Sequence, residues 1–164
     1  MLLRTSGSGL QLVEYLASQL FPFELERFQL AVGDPAGQAV WEALAVLVAI
    51  RAWRSYWCQS SCTTVEVRCD SLAASGAARR ISSRDPKLKC VMQELSLQVA
   101  VHGLNIGLLA HTPGLANMLP DTLSCRHQSG SWQLPQGLVG IRERVIAPRL
   151  ATWWLARNGP AHFV

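Results

Sequence analysis

His111 to Ser124, HTPGLANMLPDTLS, is the stretch on which the reading of this chain turns. An apolar segment stops at a histidine, turns through Pro113-Gly114 and re-enters a helical pattern that carries Asp121. Pro120 suits the first turn of such a helix, where a missing N–H leaves no hydrogen bond unmade. Just before it, LNIGLLAH (104–111) alternates Leu104, Ile106 and Leu108 to one side, which predicts a strand ending at His111. A strand, a turn and a short helix occur in many proteins that catalyse nothing, so the flanking sequence has to supply the context.

Working outward, Asp85-Pro86 pairs a capping side chain with a residue suited to the first helical position. Leu88, Val91, Met92, Leu95, Val99 and His102 then recur at helical spacing until Gly103 stops the pattern. SSRDPKLK (82–89) is a polar break, preceded by a short helix predicted from Ser71 to Arg80 and by TTVEVRCD (63–70), which alternates as a strand and ends on Asp70. Asp34-Pro35 repeats the cap-then-proline order and predicts a helix from about Ala36 to Tyr56. There Trp41, Leu44, Val48 and Ala52 line one face and Val40, Leu47 and Ile50 another, so the helix should be central, with Glu42 as its one acid.

At the start, MLLRT and LQLVEYLA flank SGSG, a hairpin signal over Met1 to Ala17. Residues 18–33 are irregular, with Phe21, Phe23 and Phe28 spaced as a loop packing on the body. Beyond Ser124 the pattern loosens: WQLPQGLVGIRERV (132–145) is compatible with a short helix, and Trp153 and Trp154 are expected to pack on the domain or a neighbour rather than to stack on bases. The order of elements predicts an α/β domain over 1–124 whose later strands run parallel, followed by a partly irregular tail over 125–164.

The 164 residues suffice for about one domain, and 49% hydrophobic against 16% charged residues argues for a folded chain. A net charge of +4 and a pI near 9.0 are compatible with a polyanionic partner without requiring one. Five cysteines, an odd number with no hydrophobic signal before them, predict reduced thiols in an intracellular protein. Cys58, Cys62 and Cys69 lack the spacing and the paired histidine of a zinc site, so core or surface thiols are the expectation. The longest apolar run, AVWEALAVLVAI (39–50), is too short for a membrane span and contains Glu42.

Glu42, Asp70 and Asp121 fall within a helix, at a strand end and at a helix start. A fold that brought those ends together would gather three carboxylates, which repel one another unless cations neutralise them. Mg²⁺ is the natural cation for an all-oxygen site, and two ions about 3.5–4 Å apart can activate water and stabilise the leaving oxygen of a phosphodiester. Against this stands a plainer account: acids at these positions are common for capping and helix-dipole reasons. Arg79, Arg80, Arg84, Lys87 and Lys89 flank the helix break, either as phosphate contacts or as a solvated surface.

Together these features resemble the ribonuclease H-like domain of retroelement (retrotransposon) reverse transcriptases. HTPGLANMLPDTLS is similar to that family's terminal motif of His, Pro-Gly, Asn and then Ala-Asp-x-Leu-Ser; WEALAVLVAIRAW (41–53) resembles its glutamate helix, and VEVRCDSLAA (65–74) its fourth strand with aspartate. The resemblance spans roughly residues 2–124 in the family's order. It implies a five-stranded mixed sheet flanked by helices, and hydrolysis of the RNA strand of an RNA/DNA hybrid with two Mg²⁺ ions. By position, Glu42, Asp70 and Asp121 match metal-binding carboxylates, His111 the mobile histidine that assists water activation or product release, and Asn117 a residue that orders the loop. Asn117, Arg79 and Arg80 are the candidate substrate contacts.

The departures carry consequences of their own. The family's first strand, with its first aspartate, has no counterpart here, and Asp34 is placed as a helix cap; Pro120 replaces an alanine and Cys125 an arginine of the motif. Loss of a bridging carboxylate weakens ion binding. Loss of the central strand leaves two edges with unpaired backbone groups, which either pair in an altered sheet or leave the region loose. The resemblance therefore implies an N-terminally truncated, catalytically impaired fragment of a retroelement polyprotein, with an RNA/DNA hybrid and the polymerase part as partners. The alternative is a non-catalytic nucleic-acid-binding module or structural remnant.

Overall fold

Of the two aspartates that precede prolines, Asp85 begins a helix as its order predicts, and Asp34 begins a 3₁₀ turn, Pro35–Gly37, that leads into one. Asp34 accepts a hydrogen bond from the Ala36 N–H, and Asp85 accepts from those of Lys87 and Leu88. The computed structural model describes residues 1–6, 9–57, 63–112, 117–127 and 130–155. Cys58, Cys62 and the Pro113-Gly114 turn lie outside the described residues, as do the side chains of Leu108 and His111. The chain forms two compact units, one of Met1–Gln19 with Pro113–Ala147 and one of Leu20–Thr112 with Pro148–Val164. Residues 125–147 therefore share a unit with the hairpin, and the segment from Pro148 belongs with the helices.

In the helical unit, α1 spans Pro22–Phe28, where the sequence pattern predicts a loop. Pro22 occupies the first turn and the Glu24 carboxylate accepts from the Phe21 N–H at 2.9 Å. The start signal is hard to read because the N-cap is a phenylalanine, which has no oxygen to offer the helix. Helix α2 spans Gln38–Ala52 and buries Val40, Ala43, Leu44, Leu47, Val48 and Ile50. Its predicted extent to Tyr56 is interrupted at Trp53, after which α3 (Arg54–Trp57) forms a separate turn and both Trp53 and Trp57 are buried.

Strand β3 (Thr63–Cys69), helices α4 (Leu72–Arg80) and α5 (Pro86–His102), and strand β4 (Leu104–His111) follow in order. Ser71 caps α4 by accepting from the Ala74 N–H, and Gly103 ends α5 at φ 61°, a conformation that suits a residue without a Cβ. The two strands pair in parallel, from Thr63 opposite Leu104 to Cys69 opposite His111. Parallel pairing needs a long crossover, which α4 and α5 supply.

In the hairpin unit, β1 (Leu2–Ser6) and β2 (Gly9–Tyr15) are antiparallel. Helix α6 spans Met118–Ser124. Tyr15, Leu123 and Leu138 form the core, with Leu12, Ala17, Leu119, Trp132 and Ile141 packed against it. The short helix expected within 132–145 is instead a single 3₁₀ turn, Gln136–Leu138, followed by a two-residue strand β5 (Arg142–Glu143) parallel to β2. Gly140 sits at φ 80°, which stops a helix from continuing. The fold is thus mixed α/β, and among the described residues its strands divide into two sheets, β1-β2-β5 and β3-β4.

Candidate functional site

The C-terminal ends of β3 and β4 lie side by side because their register holds Cys69 opposite His111, and the Thr112 N–H donates to the Cys69 carbonyl at 2.9 Å. Asp70 leaves β3 at this point, one residue before the cap of α4. Cys69 stays tucked beneath it, its Sγ 2.8 Å from Ser75 Oγ.

Glu42 is carried by α2. It is half-buried; Gln38 Nε2 donates to its Oε1 at 3.1 Å, and its Oε2 is buried with no hydrogen-bond partner among the described residues. Burial pushes the Glu42 carboxyl up, the Gln38 hydrogen bond opposes this, and the negative charge of Asp70 pushes it up further. The Asp70 charge is the smallest of these three influences, after burial and the Gln38 hydrogen bond.

Such a pair suits a hard cation. Its donors are all oxygens, one oxygen is buried without a partner among the described residues, and the carboxyl that bears it is held up partly by like charge. The third predicted ligand is not gathered with them in one unit: Asp121 lies in the first turn of α6, in the hairpin unit, exposed, with its Oδ1 accepting from Asn117 Nδ2 at 2.9 Å. Asn117 therefore orders the acid itself. Among the described residues no group of three or more His, Cys, Asp or Glu side chains is arranged to hold a metal ion.

Arg79 and Arg80 occupy the last turn of α4, both exposed, and Arg84 and Lys89 are exposed beyond them. Lys87 Nζ donates to the Gln29 carbonyl at 3.3 Å. Among the described residues Arg79, Arg80, Arg84 and Lys89 make no ion pair, whereas Arg51, Arg126, Arg142, Arg144 and Arg149 are each held by a carboxylate.

The buried charges have no counterpart among the sequence-based expectations. Glu24 and Arg149 form a doubly bonded pair, with Arg149 Nη2 2.9 Å from Glu24 Oε2, and Glu94 accepts from Arg51 and from the Leu155 N–H. In the hairpin unit Glu14, itself buried, pairs with Arg144 and Arg142. One signal is present in the sequence: Glu94 falls between Val91, Leu95 and Gln98 on the buried face of α5, where a charge requires a partner.

Among the described residues no helix is long and apolar enough to cross a membrane. No protein-family model matches the chain, and comparison with curated proteins and with solved structures gives no match.

Proposed function

We propose that this chain is a ribonuclease H-like domain fragment of a retroelement reverse transcriptase polyprotein. The family's activity, two-metal hydrolysis of RNA in RNA/DNA hybrids, is impaired in these 164 residues because none of them takes the place of the first aspartate. The observation that carries the proposal is the parallel pairing of β3 and β4, whose register sets the strand end that leads into Asp70 beside the one that ends at His111; the negative charge of Asp70 also raises the Glu42 carboxyl. The separation of the hairpin from the parallel pair also supports it, since loss of a central strand would part them, with β5 pairing on the β2 edge as an altered sheet requires.

In this reading Glu42 and Asp70 would hold Mg²⁺, and Asp121, which Asn117 orders, is the residue that the resemblance matches to a further carboxylate of the family. Bound there, Mg²⁺ would supply charge neutralisation and activation of a water. His111 moves a proton at the scissile phosphate, and Arg79 and Arg80 bind backbone phosphates. The test is a Mg²⁺-dependent cleavage assay on an RNA/DNA hybrid, expected to show weak or no turnover. Robust cleavage abolished by Asp70→Asn would refute impairment. Extending the chain upstream by a strand bearing an aspartate should raise turnover; no rise would count against a missing strand.

The four exposed cations without ion pairs among the described residues favour a second reading, a nucleic-acid-binding module without turnover. Hybrid binding that weakens steeply with salt, with no cleavage even after the upstream extension, would select it.

A further inference from the structure

Four charged side chains of the helical unit are buried: Glu24, Arg27, Glu94 and Arg149. Each of them either lies on the segment 148–155 or touches it. Arg149 pairs with Glu24, Arg27 lies over the Trp154 ring at 4.4 Å, and Glu94 receives the Leu155 N–H at 2.9 and 3.0 Å. Arg51 adds a fourth attachment, donating to the Trp153 carbonyl and lying over the Trp153 ring at 4.0 Å. Trp154 is buried edge-on against Phe28, with ring centroids 5.7 Å apart.

Between these anchors the segment is exposed. Leu150 is 61% accessible, Ala151 and Thr152 are exposed, and the only regular structure is one 3₁₀ turn, Ala151–Trp153. An arginine, three spacer residues, two tryptophans and a captured backbone N–H form the pattern of an extended peptide recognised by a few anchors, whereas a strand or helix of the core would be buried along its length. The receiving side chains come from α1 (Glu24, Arg27, Phe28), α2 (Arg51) and α5 (Glu94), with opposite charges set where the peptide needs them.

We propose that α1, α2 and α5 form a peptide-binding site, selective for an arginine followed by tandem aromatic residues, and filled in cis by residues 149–155. A partner peptide of that chemistry gains access by displacing the segment. The Glu24 carboxylate selects a guanidinium, which donates two hydrogen bonds to it through a planar fork that an ammonium lacks.

The test uses a fluorescently labelled synthetic peptide of residues 148–155, titrated by anisotropy into the full chain and into the full chain carrying Arg149→Ala and Trp154→Ala. The doubly substituted chain should bind it at least about tenfold tighter than the unsubstituted one, and a peptide with Arg149→Ala should lose about tenfold. A variant with a native circular dichroism spectrum that takes up no more peptide than the unsubstituted chain would overturn the proposal. Because that variant could fail to fold, hydrogen exchange on the unsubstituted chain is the second measurement. The Leu155 amide should exchange at least about tenfold faster than the slowest α2 and α5 amides, as a separable segment requires. Equal rates would make 148–155 part of the core and end the proposal.

Discussion

Leu138→Ala tests whether residues beyond the terminal motif are integral to the hairpin unit. Leu138 is fully buried against Tyr15 and Leu123, and among the described residues that core holds only these three buried side chains. Removing three carbon groups forfeits about 2.4 kcal/mol of transfer free energy at about 0.8 kcal/mol each. The residual cavity adds about 1–2 kcal/mol, because a small core collapses only partly, giving about 3–4 kcal/mol in total. A single global denaturation curve is the wrong instrument for a chain with two compact units, which need not unfold together. Native-state hydrogen exchange of the β1–β2 and β2–β5 amides reads the hairpin unit directly. A loss of that size accelerates their exchange by two orders of magnitude or more, or unfolds the unit outright. A change below about 1 kcal/mol would refute the reasoning, since it would mean that Leu138 contributes no more than a surface residue.

Gly37→Ala should destabilise the helical unit by about 1–3 kcal/mol, read from native-state hydrogen exchange of the α2 and α5 amides, since overpacking outweighs the gain from replacing glycine; an added Cβ would meet Trp41 Nε1 at 2.8 Å and Leu30 Cδ1 at 3.1 Å. Glu42→Gln should become relatively stabilising as pH rises. The Glu42 carboxyl is raised in the folded state, so its contribution to stability is fully present below the ordinary carboxylate range and is lost as pH climbs through the folded value. Native-state hydrogen exchange of the α2 amides from acid to neutral pH checks the sign, and a variant that loses stability relative to the unsubstituted chain as pH rises would contradict it. Asp70→Asn should lower the pH at which Glu42 titrates in an NMR titration, because it removes a neighbouring like charge. Replacing Arg79 and Arg80 by alanine should weaken hybrid binding and reduce the slope of log affinity against log salt by about 1 for each phosphate that these side chains neutralise; an unchanged slope would make them a solvated surface.

The elements that could be read from the sequence are those whose signals are local. Asp85, Ser71 and Gly103 punctuate α4 and α5, Asp34 caps the 3₁₀ turn ahead of α2, the alternation in 63–70 and 104–111 places β3 and β4, and the helices between them imply their parallel pairing. Helix α1 escaped because its cap is Phe21, and β5 because two residues cannot display a period. Its register is instead fixed by long-range charge: Glu14 stands opposite Arg142, Tyr15 stands opposite Glu143 and hydrogen-bonds to it, and Arg126 pairs with Glu143. Nothing within ten residues of Arg149 announces that its partner is Glu24.

The same local chemistry bears on the acids. If Glu42 and Asp70 were present for capping, they should be found accepting the first backbone N–H groups of their helices. Asp34 does that ahead of α2, and Ser71 does it for α4. Glu42 instead sits inside α2 with one oxygen buried and partnerless among the described residues, in the field of Asp70. A half-buried acid beside a second acid is locally unfavourable, and such violations concentrate where a site, not the fold, sets the residue. Asp121 differs. It is exposed in the first turn of α6 and held by Asn117, an arrangement that favourable placement near a helix N-terminus accounts for unaided. The capping account therefore retains its force for Asp121 and loses it for Glu42, and a substitution at Glu42 is accordingly where a cation site and a structural role give different answers.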